Sequence, residues 1–382
     1  MRLNNTRIID LTRIIAGPFC TQLLGDLGAD VIKVETPAGD PMRAQGTIKD
    51  GMSWYFASFN RNKRSVSLNM RTPQGLAVLR DMIAKSDVLV ENYKAGTLAK
   101  MGFSDDVLKD INPRLIVCHI SGFGKDGPYS DRPAFDFVAQ AMSGFMWTNG
   151  HDGEEPLRSG LPISDLVAGL YGSLAVSAAL AVPKEQRQFK SIDICLMDGL
   201  VSLLAYMGSE QLATGSALKR SGNDHPLVAP YGLYETSDGH IAVAPSNEQI
   251  FSRLLDTLGR SDLRSDPRFA DNAARMQHRQ EIRSELQRDF QKKTSAHWIE
   301  ALNAKGVPAG PVQTVQEALD DPQVRHRDMI IDVPHPGHGT VQMLGFPIKQ
   351  SIDTPLIRRP APSIGQHTEE VLAEITRTGT SR

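Results

Sequence analysis

One carboxylate, Asp165, stands at the head of an uncharged apolar run in "ISDLVAGLYGSLAVSAALAV", Ile163 to Val182. An acid in the first turn of a helix feels the positive end of the macrodipole and the free N–H groups of that turn. The expectation is a carboxylate kept ionised among apolar neighbours, which is a competent nucleophile. The alternative is ordinary capping chemistry, since Ser-Asp is a common way to begin a helix.

Two basic stretches are the next candidates. "NRNKRSVSLNMR" puts Arg61, Lys63, Arg64 and Arg71 around one strand, and "ENYKAGTLAKMG" adds Lys94 and Lys100 after another. Either these form a solvated rim, or they bind a polyanion of nucleotide size near strand C-terminal ends. "GFGKDG", Gly122 to Gly127, matches a dinucleotide-binding fingerprint, but Pro128 and Pro133 follow where a helix should open. It reads as a loop. His335 and His338 lie in "HPGHG" with no third ligand nearby, so no metal site is expected there. No GxSxG elbow occurs.

These residues must be carried by regular elements. "RIIDL", "DVIKVE", "RSVSLNM", "DVLVEN" and "PRLIVCHIS" read as strands, alternating with "PFCTQLLGDLG" and "TPQGLAVLRDMIAKS" as helices. That rhythm implies an α/β domain with a mostly parallel sheet covered on both faces. Helices are expected over 135–146, in the Asp165 run, and after the strand in "FKSIDICLMDGLVSLLAYM". The boundaries read as a first, large domain over 1–200, a linker over 201–228 and a smaller α+β domain over 229–312. A proline-rich return follows over 313–350, then a C-terminal segment over 351–382 whose helix, 366–377, packs back on the large domain. Asp238-Gly239 signals a hairpin inside the smaller domain.

With 382 residues, 40% hydrophobic, 23% charged and a net charge of -2, the chain is an ordinary globular protein. That balance excludes nucleic acid or an anionic membrane as its main partner. Cys20, Cys118 and Cys195 are far apart, as expected of reduced, buried thiols in a cytoplasmic protein. "MRLNNTRIID" lacks the apolar stretch of a signal peptide, and the Asp165 run is read as a core helix rather than a membrane span.

Taken together, "DLTRIIAGPFCTQLLGDLGADVIKVETPAGDPMR", "NRNKRSVSLNMRTPQG", "DVLVENYKAG", "NPRLIVCHISGFGKDGP", "FDFVAQAMSGFM" and "ISDLVAGLYGSLAVSAAL" resemble the class III CoA-transferases, the CaiB/BaiF family. The resemblance runs from Arg7 to Leu372 and includes "APYGLYETSDGHIAVA", "GVPAGPV" and "APSIGQHTEEVL". It implies a Rossmann-like large domain built from both ends of the chain, and an interlaced, ring-like homodimer. Asp165 matches the family nucleophile. Coenzyme A would lie along Ile15 and Ala16, pass Leu68 and Arg71, then Asn92 and Tyr93, and reach Lys100. No prosthetic group is implied, coenzyme A being part of the substrate. Two positions depart from the formyl-CoA transferase branch: Thr36 replaces an arginine and Pro133 a lysine.

The resemblance leaves alternatives. The racemase branch, which shifts a proton of a 2-methylacyl-CoA, carries a histidine where this chain has Phe135. A dinucleotide-dependent oxidoreductase rests only on "GFGKDG", and a CoA-binding protein without activity is a third reading. For a transferase, the expected acceptor is a small dicarboxylate, with succinyl-CoA or a similar short acyl-CoA as donor. "SGNDHPLVAPYG" lacks the glycine run of the oxalate-using branch. Arg13, in "DLTRIIAGP", is the candidate cation for a second carboxylate. Its alternative role is pairing with an acid of its own chain.

Overall fold

A computed structural model describes residues 3–216, 219–349 and 357–377. The chain divides into two compact units: 1–145 with 158–205 and 322–382, and 146–157 with 206–321.

The first unit is built on a six-stranded sheet, all parallel. Its strands are β1 (Arg7–Asp10), β2 (Asp30–Glu35), β3 (Lys63–Ser67), β4 (Val88–Glu91), β5 (Ile116–Ser121) and β6 (Lys190–Cys195). Their spatial order is 3-2-1-4-5-6, so the direction of winding reverses between β1 and β4. Ligands of such sheets bind beyond the strand C-termini at that reversal.

Side-chain alternation explains why the strands read as continuous apolar runs. Ile8, Val31, Val88 and Cys118 face one layer of helices, while Ile9, Ile32, Leu89 and Val117 face the other. The first layer holds α1 (Ala16–Asp26) and the long helix that starts at Ile163. The second holds α2 (Pro73–Ala84), capped by Thr72 on Gly75 N–H with Pro73 in its first turn, and α3 (Asp105–Ile111), capped by Ser104. Beyond β5 come α4 (Asp136–Met142), α5 (Ile163–Leu180) and, after β6, α6 (Leu196–Ser202). By length and composition α5 could cross a membrane. Here its Val167, Ala168, Gly169, Gly172 and Val176 are buried.

The smaller unit carries a three-stranded antiparallel sheet, Gly232–Glu235, His240–Val243 and Ala309–Pro311. The first two strands form the hairpin closed by Asp238-Gly239. Helices Glu248–Leu258, Arg279–Phe290 and Ser295–Ala304 enclose Phe269, Phe290 and Trp298.

Three features differ from the expected organisation. The 201–228 stretch includes a helix, Ala205–Thr214. The smaller unit also takes in 146–157, well ahead of the rest of it. The 313–350 return contains helices Val315–Asp320 and Pro322–His326 and a hairpin, Ile330–His335 with Gly339–Leu344. Its Val333, Val341 and Met343 face inward at alternate positions, a pattern the prolines obscure. The final helix, Thr368–Arg377, lies against β3, with Val371 and Ile375 in the core.

Candidate active site

The turn that leaves β1 is held by side chains at nearly every main-chain polar group. Thr12 N–H donates to Asp10 Oδ1 at 2.8 Å, and Lys33 Nζ donates to the Thr12 carbonyl at 2.8 Å. Asn92, after β4, accepts from Arg13 N–H at 2.9 Å and donates to the Arg13 carbonyl at 2.7 Å. Ile14 N–H donates to Asp40 Oδ1 at 3.3 Å. Ile14 needs this support. Its φ is 69°, a left-handed conformation that a β-branched residue adopts only under constraint.

Beneath the turn lies a dry ionic cluster. Lys33 pairs with Asp40 at 2.9 Å, and Lys63 pairs with Asp10 at 3.0 Å, all four side chains having essentially no exposure. Lys63 also donates to the Pro18 carbonyl and to Asn60. Burial works to raise Asp10, but Lys63 and Lys33 outweigh it and hold the carboxyl below its ordinary value. Burial is the larger influence on Lys63, which falls to about 8.

Three of the four basic residues in this segment thus form neither a solvated rim nor a polyanion site. Arg61, Lys63 and Arg64 are buried. Arg61 is spent on Asp26, and Arg64 on Asp30, Glu370 and Glu374. Only Arg71 among them is exposed.

The start of α5 is built differently. Its N-cap position is Pro162, which offers no side-chain hydrogen bond. Ser164 N–H and Oγ–H instead donate to Asp136 Oδ1, at 2.9 and 2.8 Å. Asp165 is half-buried in the first turn, and among the described residues nothing hydrogen-bonds its carboxylate. Burial, then the charge of Asp136, pushes it up to about 7. This corrects the capping reading, because Asp165 bonds no backbone group of its helix, and its raised carboxyl runs against the expectation that the first turn favours the ionised form. The Ser164 donors go to Asp136, Ile163 N–H to the Leu161 carbonyl and Leu166 N–H to the Pro162 carbonyl.

Two glycines set how closely α5 approaches α1. A Cβ on Gly169 would lie 2.9 Å from the Ala16 carbonyl oxygen and 2.9 Å from Phe19 Cδ1. One on Gly172 would lie 3.0 Å from Cys20 Sγ. Gly169 is one turn beyond Asp165, so its bare backbone lets the carboxylate sit beside the Ile15–Ala16 turn.

These elements enclose a cavity of about 230 Å³ at the C-terminal ends of β1, β4 and β5. Arg13, Ile15, Ala16, Asn92, Tyr93 and Asp165 all line it. Leu68, Arg71 and Lys100 lie outside its lining. Leu68 is half-buried just past β3, and Arg71 and Lys100 are exposed on neighbouring surface. Arg13 is exposed, 5.8 Å from the Tyr93 ring centre, and has no acidic partner among the described residues. Glu91 supports Tyr93, accepting from its N–H at 2.6 Å and meeting His119 Nδ1 at 2.6 Å.

Sequence reasoning missed Ser121, Ser130 and Arg132, which share the lining, and Asp136 and Tyr55. The Tyr55 phenol is pushed up by burial, then by Asp165 and Asp136, so it sits within their field. For Asp136 a signal existed: an acid heading a helix in "FDFVAQAM". Its partner, Ser164, is 28 residues away. Gly122 lines the cavity too, while "GFGKDG" is a loop with positive φ at Gly124 and Gly127 that opens no helix.

Known proteins resemble the chain in both sequence and fold. Residues 3–368 match the model of "CoA-transferase family III". A succinate–glutarate CoA-transferase of Agrobacterium fabrum is 37% identical, covering 98% of this chain and 95% of that protein. A human succinyl-CoA:glutarate CoA-transferase is 36% identical, covering 98% of this chain and 86% of that protein. The crystal structure of a CaiB/BaiF family protein from Brucella suis superposes with a TM-score of 0.87 at 37% identity, covering 98% of this chain and 99% of the other.

Proposed function

The chain belongs to CoA-transferase family III, and we propose that it moves CoA from succinyl-CoA, or a similar short acyl-CoA, to a small dicarboxylate through a covalent intermediate on Asp165. The observation that carries this reading is one cavity that gathers Asp165, the Ile15–Ala16 turn and an arginine with no acidic partner among the described residues. The names of the two relatives point to the same substrate class.

The proposed chemistry runs in successive exchanges. The Asp165 carboxylate attacks the donor thioester carbonyl; the C–S bond breaks and CoA leaves as thiolate. The thiolate attacks the aspartyl carbonyl of the mixed anhydride, releasing the donor acid and leaving an aspartyl-CoA thioester. The acceptor carboxylate attacks that thioester, and the freed thiolate takes the acceptor acyl group, restoring Asp165. Every step exchanges carbonyl–oxygen for carbonyl–sulfur bonds, so no electrons change hands and no prosthetic group is required. Binding along the long CoA body offsets the entropy of ordering the small reacting end.

Within this reading Ile15, Ala16, Asn92 and Tyr93 contact CoA where it enters the cavity. Leu68, Arg71 and Lys100 carry its nucleotide end across the adjoining surface. The Asn92 amide is already occupied by both polar groups of Arg13, so its contribution is largely to hold the turn. Arg13 holds the remote carboxylate of the acid. Racemisation is disfavoured, since Phe135 lines the cavity where that branch has its histidine. We further propose an interlaced homodimer in the cytoplasm. The α5 face bearing Leu170 and Leu174, 52% and 64% exposed, suits a second copy.

The test is a panel of acyl-CoAs and free acids, with new CoA esters read by mass. Transfer from succinyl-CoA to glutarate, itaconate or mesaconate, with butyrate used poorly, supports the proposal. Equal use of butyrate overturns the dicarboxylate assignment. No transfer to any acid overturns the whole.

A further inference from the structure

Asp136 is spent entirely on the entrance to α5. Its Oδ1 takes both protons of Ser164, and its Oδ2 accepts from Gln140 Nε2 at 2.8 Å. Gln140 in turn accepts from Ser159 N–H at 2.9 Å through Oε1. A buried residue of α4 therefore fixes both the approach to α5 and its first turn. The usual arrangement would be a Ser or Asp at the N-cap bonding its own helix.

We propose that Asp136 is the positioning residue of the nucleophile: by taking the Ser164 protons it orients the first turn of α5 and denies Asp165 the donors that would quench it. Asp136 does not touch the reacting atoms. The inference rests on Asp165 being the nucleophile.

A second consequence is electrostatic. Ionised Asp165 shares a poorly solvated site with the charge of Asp136, which disfavours its free carboxylate. Once acylated, Asp165 is neutral and the repulsion is gone. Asp136 thus favours the covalent intermediates over the free enzyme. The other charged or titratable groups facing the site are Arg13, Tyr93, Lys94 and Arg132 on its walls and Tyr55 on the helix Trp54–Ser58. All are cations or neutral phenols, so Asp136 is the one anion that acts on Asp165 among these described groups.

The experiment is the pH profile of kcat/KM for wild type, Asp136→Asn, Ser164→Ala and Asp165→Asn. Asparagine keeps an acceptor for Ser164 and removes the charge. The acidic limb should then move to lower pH by about one unit. Ser164→Ala keeps the charge and loses the hydroxyl contact. Its limb should stay in place while kcat falls about tenfold. An Asp136→Asn limb that coincides with wild type overturns the proposal. If that variant does not fold, Ser164→Ala decides: reduced kcat with an unmoved limb supports the inference, and wild-type kcat overturns it. Asp165→Asn separates the two readings. Should it retain transfer, the covalent proposal fails. Should it be inactive while the Asp136→Asn limb is unmoved, only the role of Asp136 fails.

Discussion

Asp10 and Asp165 are the same residue type within one α/β unit, the first fully buried and the second half-buried against a cavity. Asp10 is surrounded by Lys63, Lys33, Thr12 and Thr21, and its carboxyl is held low. Asp165 has no hydrogen-bond partner among the described residues and an acid for a neighbour, and its carboxyl rises to about 7. Burial acts on both in the same direction, so partners decide the outcome. A saturated carboxylate braces the backbone of the β1 turn, and an unsatisfied one is left with reactivity. The proposed nucleophile is the one for which the described residues supply no ion-pair partner.

Exchanging each acid for its amide is the strongest way to break this contrast. Asp165→Asn should lower transfer by at least about a thousandfold while the protein still folds, as the loss of a covalent nucleophile does. Asp10→Asn should instead leave Lys63 without its buried counter-charge and cost about 3–5 kcal/mol, seen as loss of soluble protein or a collapse in unfolding temperature. Inactivity in the second with full stability would erase the distinction.

Gly169→Val tests whether packing places Asp165. The added branches would overlap the Ala16 carbonyl and Phe19. Displacing the carboxylate by about 1 Å should cost about a hundredfold in kcat. Overpacking should cost about 1–3 kcal/mol of stability. Retained kcat in the folded variant would show that the close approach of α5 and α1 is not needed.

Arg13→Met acts on the substrate rather than the nucleophile. It should raise KM for glutarate by about tenfold or more, the worth of a charge-assisted hydrogen bond, and leave butyrate unchanged. Equal slowing of both acids would return Arg13 to a purely structural role.

Stability against pH separates the two acids by the sign of the effect. Asp165 binds its proton more tightly when folded, so between 3.8 and about 7 the native state carries more protons than the unfolded one. Its contribution to stability therefore declines as pH rises through that window. Asp10 has the opposite sign. Its folded value is lowered, so its contribution is present above 3.8 and is lost as pH falls through the folded value. The unfolding temperature of Asp165→Asn should exceed that of wild type above pH 7 and converge with it below about pH 4. A lower unfolding temperature at every pH would show that the carboxylate is a stabilising group.

The strands of the sheet and the place of Asp165 in a first turn are local properties, and they are legible in the sequence. So is the hairpin at Asp238-Gly239. Charge partners are not. Arg64 reads as exposed because Glu370 and Glu374 stand 306 and 310 positions away, on the final helix. The resemblance implies Asn92 as a ligand contact, and no local pattern shows that its amide also clasps Arg13 from 79 positions away. The cap on α5 is missed for the same reason, since no local pattern announces that Asp136 serves Ser164. The proline-rich return hides its hairpin because Pro334 lies within a strand and Pro336 lies in its turn.

The covalent role of Asp165 can be followed by oxygen itself. When the acceptor attacks the aspartyl thioester, its oxygen becomes the bridge of the anhydride. When thiolate then takes the acyl group, that oxygen stays with the aspartate. Turnover with an acceptor labelled with heavy oxygen in its carboxyl groups should therefore place one labelled oxygen in the peptide containing Asp165, and two after repeated cycles. Fragmentation should locate the label on Asp165, and Asp165→Asn should take up none. Full transfer with no label in that peptide, or with label on another residue, would contradict the account.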